Sequence, residues 1–123
     1  MAKKILIVED DSIMRQAVGE FLAEDGFEVV YASDGEEGAL LAKTQNPNLV
    51  LLDIILPKKD GYEVIKELKA DDKTKKIPIV LLTNLGSLSD VEKAINMGAT
   101  TYLVKSDYKL EEVAKKVREV LKI

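Results

Sequence analysis

The stretch "LVLLDIILPKKDGYEV", residues 49–64, decides the fold. Leu49, Val50, Leu51, Leu52 and Ile54 form an apolar run broken by one carboxylate, Asp53. Apolar runs of this length belong to the inside of a sheet. The charged group stands at the end of the run, just before a loop marked by Pro57 and Gly61.

Four more short apolar runs flank this one: "KILIV" (4–8), "FEVVYA" (27–32), "IPIVLLT" (77–83) and "TTYLVK" (100–105). Between them the apolar residues recur at helical spacing. Met14, Ala17, Val18, Phe21 and Leu22 make one such face, and Leu110, Val113, Ala114, Val117 and Leu121 make another. Shorter faces come from Tyr62, Ile65 and Leu68, and from Val91, Ala94 and Ile95, while Leu40, Leu41 and Ala42 support a helix over 36–43. Strands alternating with helices indicate βαβ units and a parallel sheet. The first, third and fourth runs are apolar on both faces, as central parallel strands are, and "FEVVYA" is mixed enough for an edge. Turn signals fall at Asp25-Gly26, Asp34-Gly35, Asn46-Pro47-Asn48, Asp60-Gly61 and Gly98. The charge runs at 58–60 and 69–76 read as solvated surface. The expectation is one domain over 1–123, a (βα)5 doubly wound sheet.

In an open parallel sheet, ligands bind outside the carboxyl ends of the strands. The first strand ends in Glu9, Asp10 and Asp11, the third in Asp53, the fourth in Thr83 and Asn84, and the fifth in Lys105 and Ser106. Parallel strands bring all of these to one edge. Carboxylates packed together repel unless a cation joins them. The 123 residues hold no cysteine and no histidine, so the ligands on offer are hard oxygens. That favours magnesium, or manganese as a similar divalent ion. A hydroxyl and an ammonium at the same place suit a phosphoryl oxygen. The implied chemistry is phosphoryl transfer with Asp53 as the nucleophilic carboxylate. Taken singly, each residue has a plainer use: Asp10 in a helix cap, Asp53 in an Asx turn, Thr83 as a strand former, Lys105 in solvent, Tyr102 in a half-buried core. Asp11 or Ser12 is expected to cap the first helix.

The same composition excludes other classes. Disulfides, thiol nucleophiles, His triads and His metal sites are absent. With 18 basic and 22 acidic side chains the net charge is −4, against a nucleic-acid binder. The N-terminal apolar stretch is too short for a leader or a span, so the location expected is cytoplasmic, without membrane contact. No G-x-G-x-x-G follows a strand. The loop after the first strand is acidic and would repel a flavin phosphate. A phosphatase of the haloacid-dehalogenase type would need a carboxylate at position 55, where Ile55 stands.

"ILIVEDD", "LVLLDIILPKKDG", "PIVLLTN" and "GATTYLVK", in this order, resemble the receiver domain of two-component response regulators over essentially the whole chain. The resemblance implies a flavodoxin-like fold with strand order 2-1-3-4-5. It implies that Asp53 accepts a phosphoryl group, that Asp10 holds the metal directly and Glu9 through water, and that the backbone carbonyl of Ile55 is a third ligand. Thr83 and Lys105 would bind the phosphoryl oxygens, and Tyr102 would swing inward as Thr83 moves. The implied output face is formed by the fourth helix, fifth strand and fifth helix. The implied partners are a sensor histidine kinase or a histidine phosphotransfer protein, and a downstream protein target. The implied behaviour is that of a phospho-switch, not a turnover enzyme, monomeric when unphosphorylated. A stand-alone protein is expected; the alternative is a receiver module of a longer regulator with a DNA-binding or enzymatic output. Ile55 and Asn84 flank the path of a hydrolytic water in the family. Receivers usually follow the lysine with a proline. Ser106 stands there instead, and a trans Lys105–Ser106 peptide is expected.

Overall fold

The computed structural model describes residues 2–83, 88–104 and 109–123. Among them, strands β1 (Lys4–Val8), β2 (Glu28–Ala32), β3 (Leu49–Asp53), β4 (Ile79–Thr83) and β5 (Thr101–Val104) alternate with helices. The helices are α1 (Ser12–Glu24), α2 (Gly35–Gln45), α3 (Gly61–Ala70), α4 (Leu88–Asn96) and α5 (Leu110–Leu121). The strands pair in parallel in the order β2-β1-β3-β4-β5, as expected.

Side chains alternate across a strand, and the core divides accordingly. Leu6, Val8, Val50, Leu52, Ile79 and Leu81 pack with Val64, Ile65 and Leu68 of α3 and with Ala42 and Ala94 on one face. Ile5, Ile7, Leu49, Leu51, Val80 and Leu82 pack with Val18 and Leu22 of α1 and Val113 and Val117 of α5 on the other. Every residue of β3 and β4 is buried, whereas in β2, at the edge, only Ala32 is. No helix among the described residues is long and apolar enough to cross a membrane.

α2 packs differently from its apolar spacing. Leu40 is 59% exposed, and the helix rests on Gly38, Ala39 and Ala42 instead. A Cβ at Gly38 would stand 2.8 Å from a Val8 methyl, so small residues are what let this helix approach the sheet.

Two of the expected turns are helix starts. Asp34 and Asp60 are N-caps, accepting from Glu37 N at 2.7 Å and Glu63 N at 2.9 Å, with Gly35 and Gly61 as the first helical residues. Asp25-Gly26, Asn46 and Gly98 do end their helices, and Asn46 takes the left-handed conformation at φ 50°.

The two charge runs are not merely solvated. Lys59 pairs with Glu67 of α3, and Asp60 caps that helix. In the second run Thr74 is fully buried, and its Oγ1 donates to Leu68 O at 2.7 Å. Lys69 lies across Gly98 and donates to Lys75 O and Ile77 O. These polar groups satisfy the open carbonyls at the end of α3 and its following turn.

Gly35 is fixed by close approach. An ideal Cβ there would overlap the Lys59 carbonyl oxygen and lie 2.7 Å from its carbon. Gly35→Ala is expected to destabilise the fold by about 3 kcal/mol, as overpacking against backbone does. Alanine's helix preference recovers less than about 1 kcal/mol of this. Urea unfolding measures it, and a loss below about 0.5 kcal/mol would show that the helix can withdraw freely.

Candidate functional site

The strand order places a topological switch between β1 and β3. From β1 the chain runs through α1 to β2 on one side, and α2 then carries it back across β1 to β3. The helices diverge there, and a crevice is left at the carboxyl ends of the two central strands. Val8 pairs with Leu52, so Glu9 follows β1 abreast of Asp53. Ligand oxygens of Glu9, Asp10 and Asp53 lie within 4.8 Å of one another. Glu9 is 1% exposed and Asp53 6%, while Asp10 is open to solvent.

Local hydrogen bonds set these groups. Glu9 N donates to Ala32 O at 3.1 Å, which holds the residue beside the sheet after β1 has ended. Arg15 Nη1 donates to the Glu9 carbonyl at 2.7 Å, and Asp11 N donates to Glu9 Oε2 at 3.3 Å. Asp11 is the cap of α1, accepting from Ile13 N and Met14 N, so the capping role falls to Asp11 and not to Asp10 or Ser12. Asp53 does make the Asx-type contact open to it: Ile55 N donates to Asp53 Oδ1 at 3.3 Å. This turn directs the Ile55 side chain outward, 75% exposed. Gly61 closes the loop from the other side, its N donating to Ile54 O at 2.7 Å. A Cβ at Gly61 would lie 2.6 Å from Ile54 Cα and 2.8 Å from Asp53 O.

Thr83 ends β4 and is 3% exposed. Asp53 pairs with Leu82, so Thr83 lies one step beyond Asp53 on the neighbouring strand. Thr83 pairs in turn with Val104, the residue before Lys105. Lys105, Ser106 and Asn84 lie outside the described residues, as does the peptide between the first two. Tyr102 is on β5 and 43% exposed, so here it lies outside the core. Arg15 is a site residue that the sequence reading missed. Nothing in its spacing from Glu9 sets it apart from a solvated helix arginine.

The donor set fits a small hard cation. Two oxygens bound to one magnesium ion stand at most about 4.2 Å apart. A small rotamer adjustment would bring the oxygens within that limit, and a water between Glu9 and the ion would free Glu9 from it. Repulsion among carboxylates this close is relieved by the same cation.

The model of the response regulator receiver domain family matches residues 5–118. A probable transcriptional regulator, ycf27, of Cyanophora paradoxa is 40% identical over 120 residues, covering 98% of this chain and 48% of that protein. The chain thus spans about half the length of the curated relatives it matches. Vibrio cholerae chemotaxis protein CheY4 superposes with TM-score 0.91 at 30% identity, covering 98% of this chain and 99% of that one. The receiver domain of sensor histidine kinase PA1611 from Pseudomonas aeruginosa, whose structure has a magnesium ion coordinated in the active-site cleft, superposes with TM-score 0.87 at 28% identity, covering 97% of each chain.

Proposed function

This chain belongs to the response regulator receiver family, and from that premise we propose that Asp53 is its phosphoryl acceptor, working with a divalent cation held at Glu9, Asp10 and Asp53. The observation that carries the reading is the meeting of those three carboxylates at the β1/β3 crevice. An Asp53 carboxylate oxygen bonds to phosphorus as the bond to the donor breaks. The donor is a phosphohistidine of a sensor kinase or phosphotransfer protein, or a small acyl phosphate. Asp10 would hold the cation directly and Glu9 through water, and the Ile55 carbonyl would be the third protein ligand. Bound there, magnesium, or manganese in its place, would supply the positive charge that offsets what gathers on the phosphoryl oxygens. Thr83 and Lys105 take up the remaining phosphoryl oxygens, and Tyr102 follows Thr83 inward.

The outcome is a phospho-switch and not a turnover enzyme. The surface formed by α4, β5 and α5 changes and is read by a protein target. The domain acts in the cytoplasm, as a monomer when unphosphorylated, with no direct part in binding nucleic acid. A second reading follows from the relatives' length: the domain serves as the receiver of a longer regulator, with a transcriptional output like the one named for ycf27. Intact mass after treatment with acetyl phosphate and magnesium tests the main reading. Wild type gains one phosphoryl group and gains none when the metal is chelated. Equal labelling with and without metal would remove the cation from the scheme.

Ile55 bears on how long the phosphoryl group lasts. Its exposed aliphatic side chain has no group with which to orient a water. Slow self-dephosphorylation is expected, and Ile55→Asn should shorten the phospho-lifetime several-fold, as an added water-orienting group does. Decay followed by mass after removal of the donor measures it; an unchanged or longer lifetime in the variant counts against this role.

A further inference from the structure

The loop between Asp53 and α3 is held from outside the crevice by charged groups with no part in the chemistry above. Glu67, on α3, takes one lysine on each carboxylate oxygen. Lys43 of α2 reaches Oε2 at 2.7 Å, and Lys59 of the loop reaches Oε1. All three side chains are about one-third exposed, at 33% and 30% for the first pair and 31% and 30% for the second. The two ammoniums, Lys43 foremost, hold the Glu67 carboxyl below its usual range, so it stays ionised at neutral pH.

Other contacts fasten the same loop to α2. Lys58 Nζ stands 3.6 Å from Asp34, the cap of that helix. Gly35 N donates to Pro57 O at 3.4 Å, and Lys59 N donates to the same carbonyl at 2.8 Å. On the strand side Gly61 N holds Ile54 O. Ile55 therefore lies between two carbonyls whose directions are set, Ile54 O by α3 and Pro57 O by α2. Pairs as exposed as these contribute little to stability one at a time. What they determine is geometry, because a metal-ligating carbonyl depends on the partners that orient it.

We propose that the Lys43–Glu67–Lys59 bridge is a positioning clamp, which ties the loop to α2 and α3 and thereby presents the Ile55 carbonyl to the cation. The proposal rests on the metal site described above, and its test separates the two. Wild-type protein labelled with 15N is titrated with magnesium chloride, and the amide shifts of Asp10 and Ile55 give the magnesium dissociation constant. Asp10→Asn should abolish the response over the magnesium concentrations that saturate wild type. Glu67→Gln and Lys59→Met should each raise the constant about tenfold, the low end of what losing an outer partner does to metal affinity. Lys43→Met, which leaves the loop lysine in place, should raise it less. Lys59→Arg, which keeps the ion pair, should stay within about twofold of wild type, as a retained charge pair implies. Lys66→Met, on the exposed side of α3, should leave the constant unchanged.

If Asp10→Asn abolishes the response while Glu67→Gln and Lys59→Met keep the wild-type constant, the clamp is wrong and the metal site stands. A bridge that served only folding would give that same result, with a lower unfolding midpoint besides. If Asp10→Asn and wild type respond alike, the metal site is wrong and the clamp falls with it. Should Glu67→Gln not fold, Lys59→Met against Lys59→Arg carries the same comparison.

Discussion

Asp53→Asn should gain no phosphoryl group from acetyl phosphate and magnesium at any metal concentration. On the proposed reading, an Asp53 carboxylate oxygen of the wild type bonds to phosphorus as the phosphorus–oxygen bond to acetate breaks and acetate departs. A carboxamide carries no anionic oxygen to take that place. The substitution is otherwise mild. Asparagine has the same shape, and its carbonyl can still accept from Ile55 N, as Asp53 Oδ1 does at 3.3 Å. It also removes one negative charge from a cluster whose ligand oxygens lie within 4.8 Å of one another. Without divalent ions, the variant should therefore unfold in urea within about 1 kcal/mol of wild type or later. Intact mass and a urea curve on the same sample decide the matter. Labelling equal to wild type would move the acceptor to another residue. Lost labelling with a collapsed urea midpoint would report unfolding and not chemistry.

The sequence makes the site legible where chemistry and topology coincide. Asp53 is visible because a carboxylate has no reason to close a strand that is buried along its length. The parallel order then brings Glu9 abreast of it. The caps were harder to read. Aspartates at 11, 34 and 60 satisfy open helix N–H groups, and by composition alone they look the same as the aspartates of the site. The hydrogen bonds to Ile13 N and Met14 N, and the place of Asp10 in the cluster, separate Asp11 from Asp10. The Asp-Gly pairs at 34–35 and 60–61 show the same ambiguity, since a local sequence that suits a turn also suits a cap followed by a closely packed first helical residue. Lys59 and Thr74 were hidden for another reason. Each sits in a run of charged and polar residues, and its partner is elsewhere in the chain, Glu67 for one and the Leu68 carbonyl for the other. Such pairings follow from the path of the chain, which periodicity does not report. Leu40 errs the opposite way: an apolar residue faces water because α2 approaches the sheet through glycine and alanine.

Asp10→Ala is expected to slow phosphorylation in limiting magnesium by about a hundredfold, which is about 3 kcal/mol of lost stabilisation where charge gathers on the phosphoryl group. Asp10 is the exposed member of the acidic cluster, beside buried Glu9 and Asp53. The cap of α1 belongs to Asp11, so removing the Asp10 carboxylate takes nothing from the helix start. Stability should change by no more than about 0.5 kcal/mol, as for an ordinary surface position. The variant and Asp53→Asn then differ in a way that separates ligand from acceptor. Loss of a ligand weakens the cation's hold, and a large excess of magnesium should restore part of the rate, because Glu9, Asp53 and the Ile55 carbonyl remain. Loss of the acceptor cannot be restored by any amount of metal. A magnesium titration of the phosphorylation rate, read by intact mass, gives both answers. A rate for Asp10→Ala equal to wild type in limiting magnesium would end its role as a direct ligand. Complete inactivity at every magnesium concentration would mean that its carboxylate does more than bind the ion.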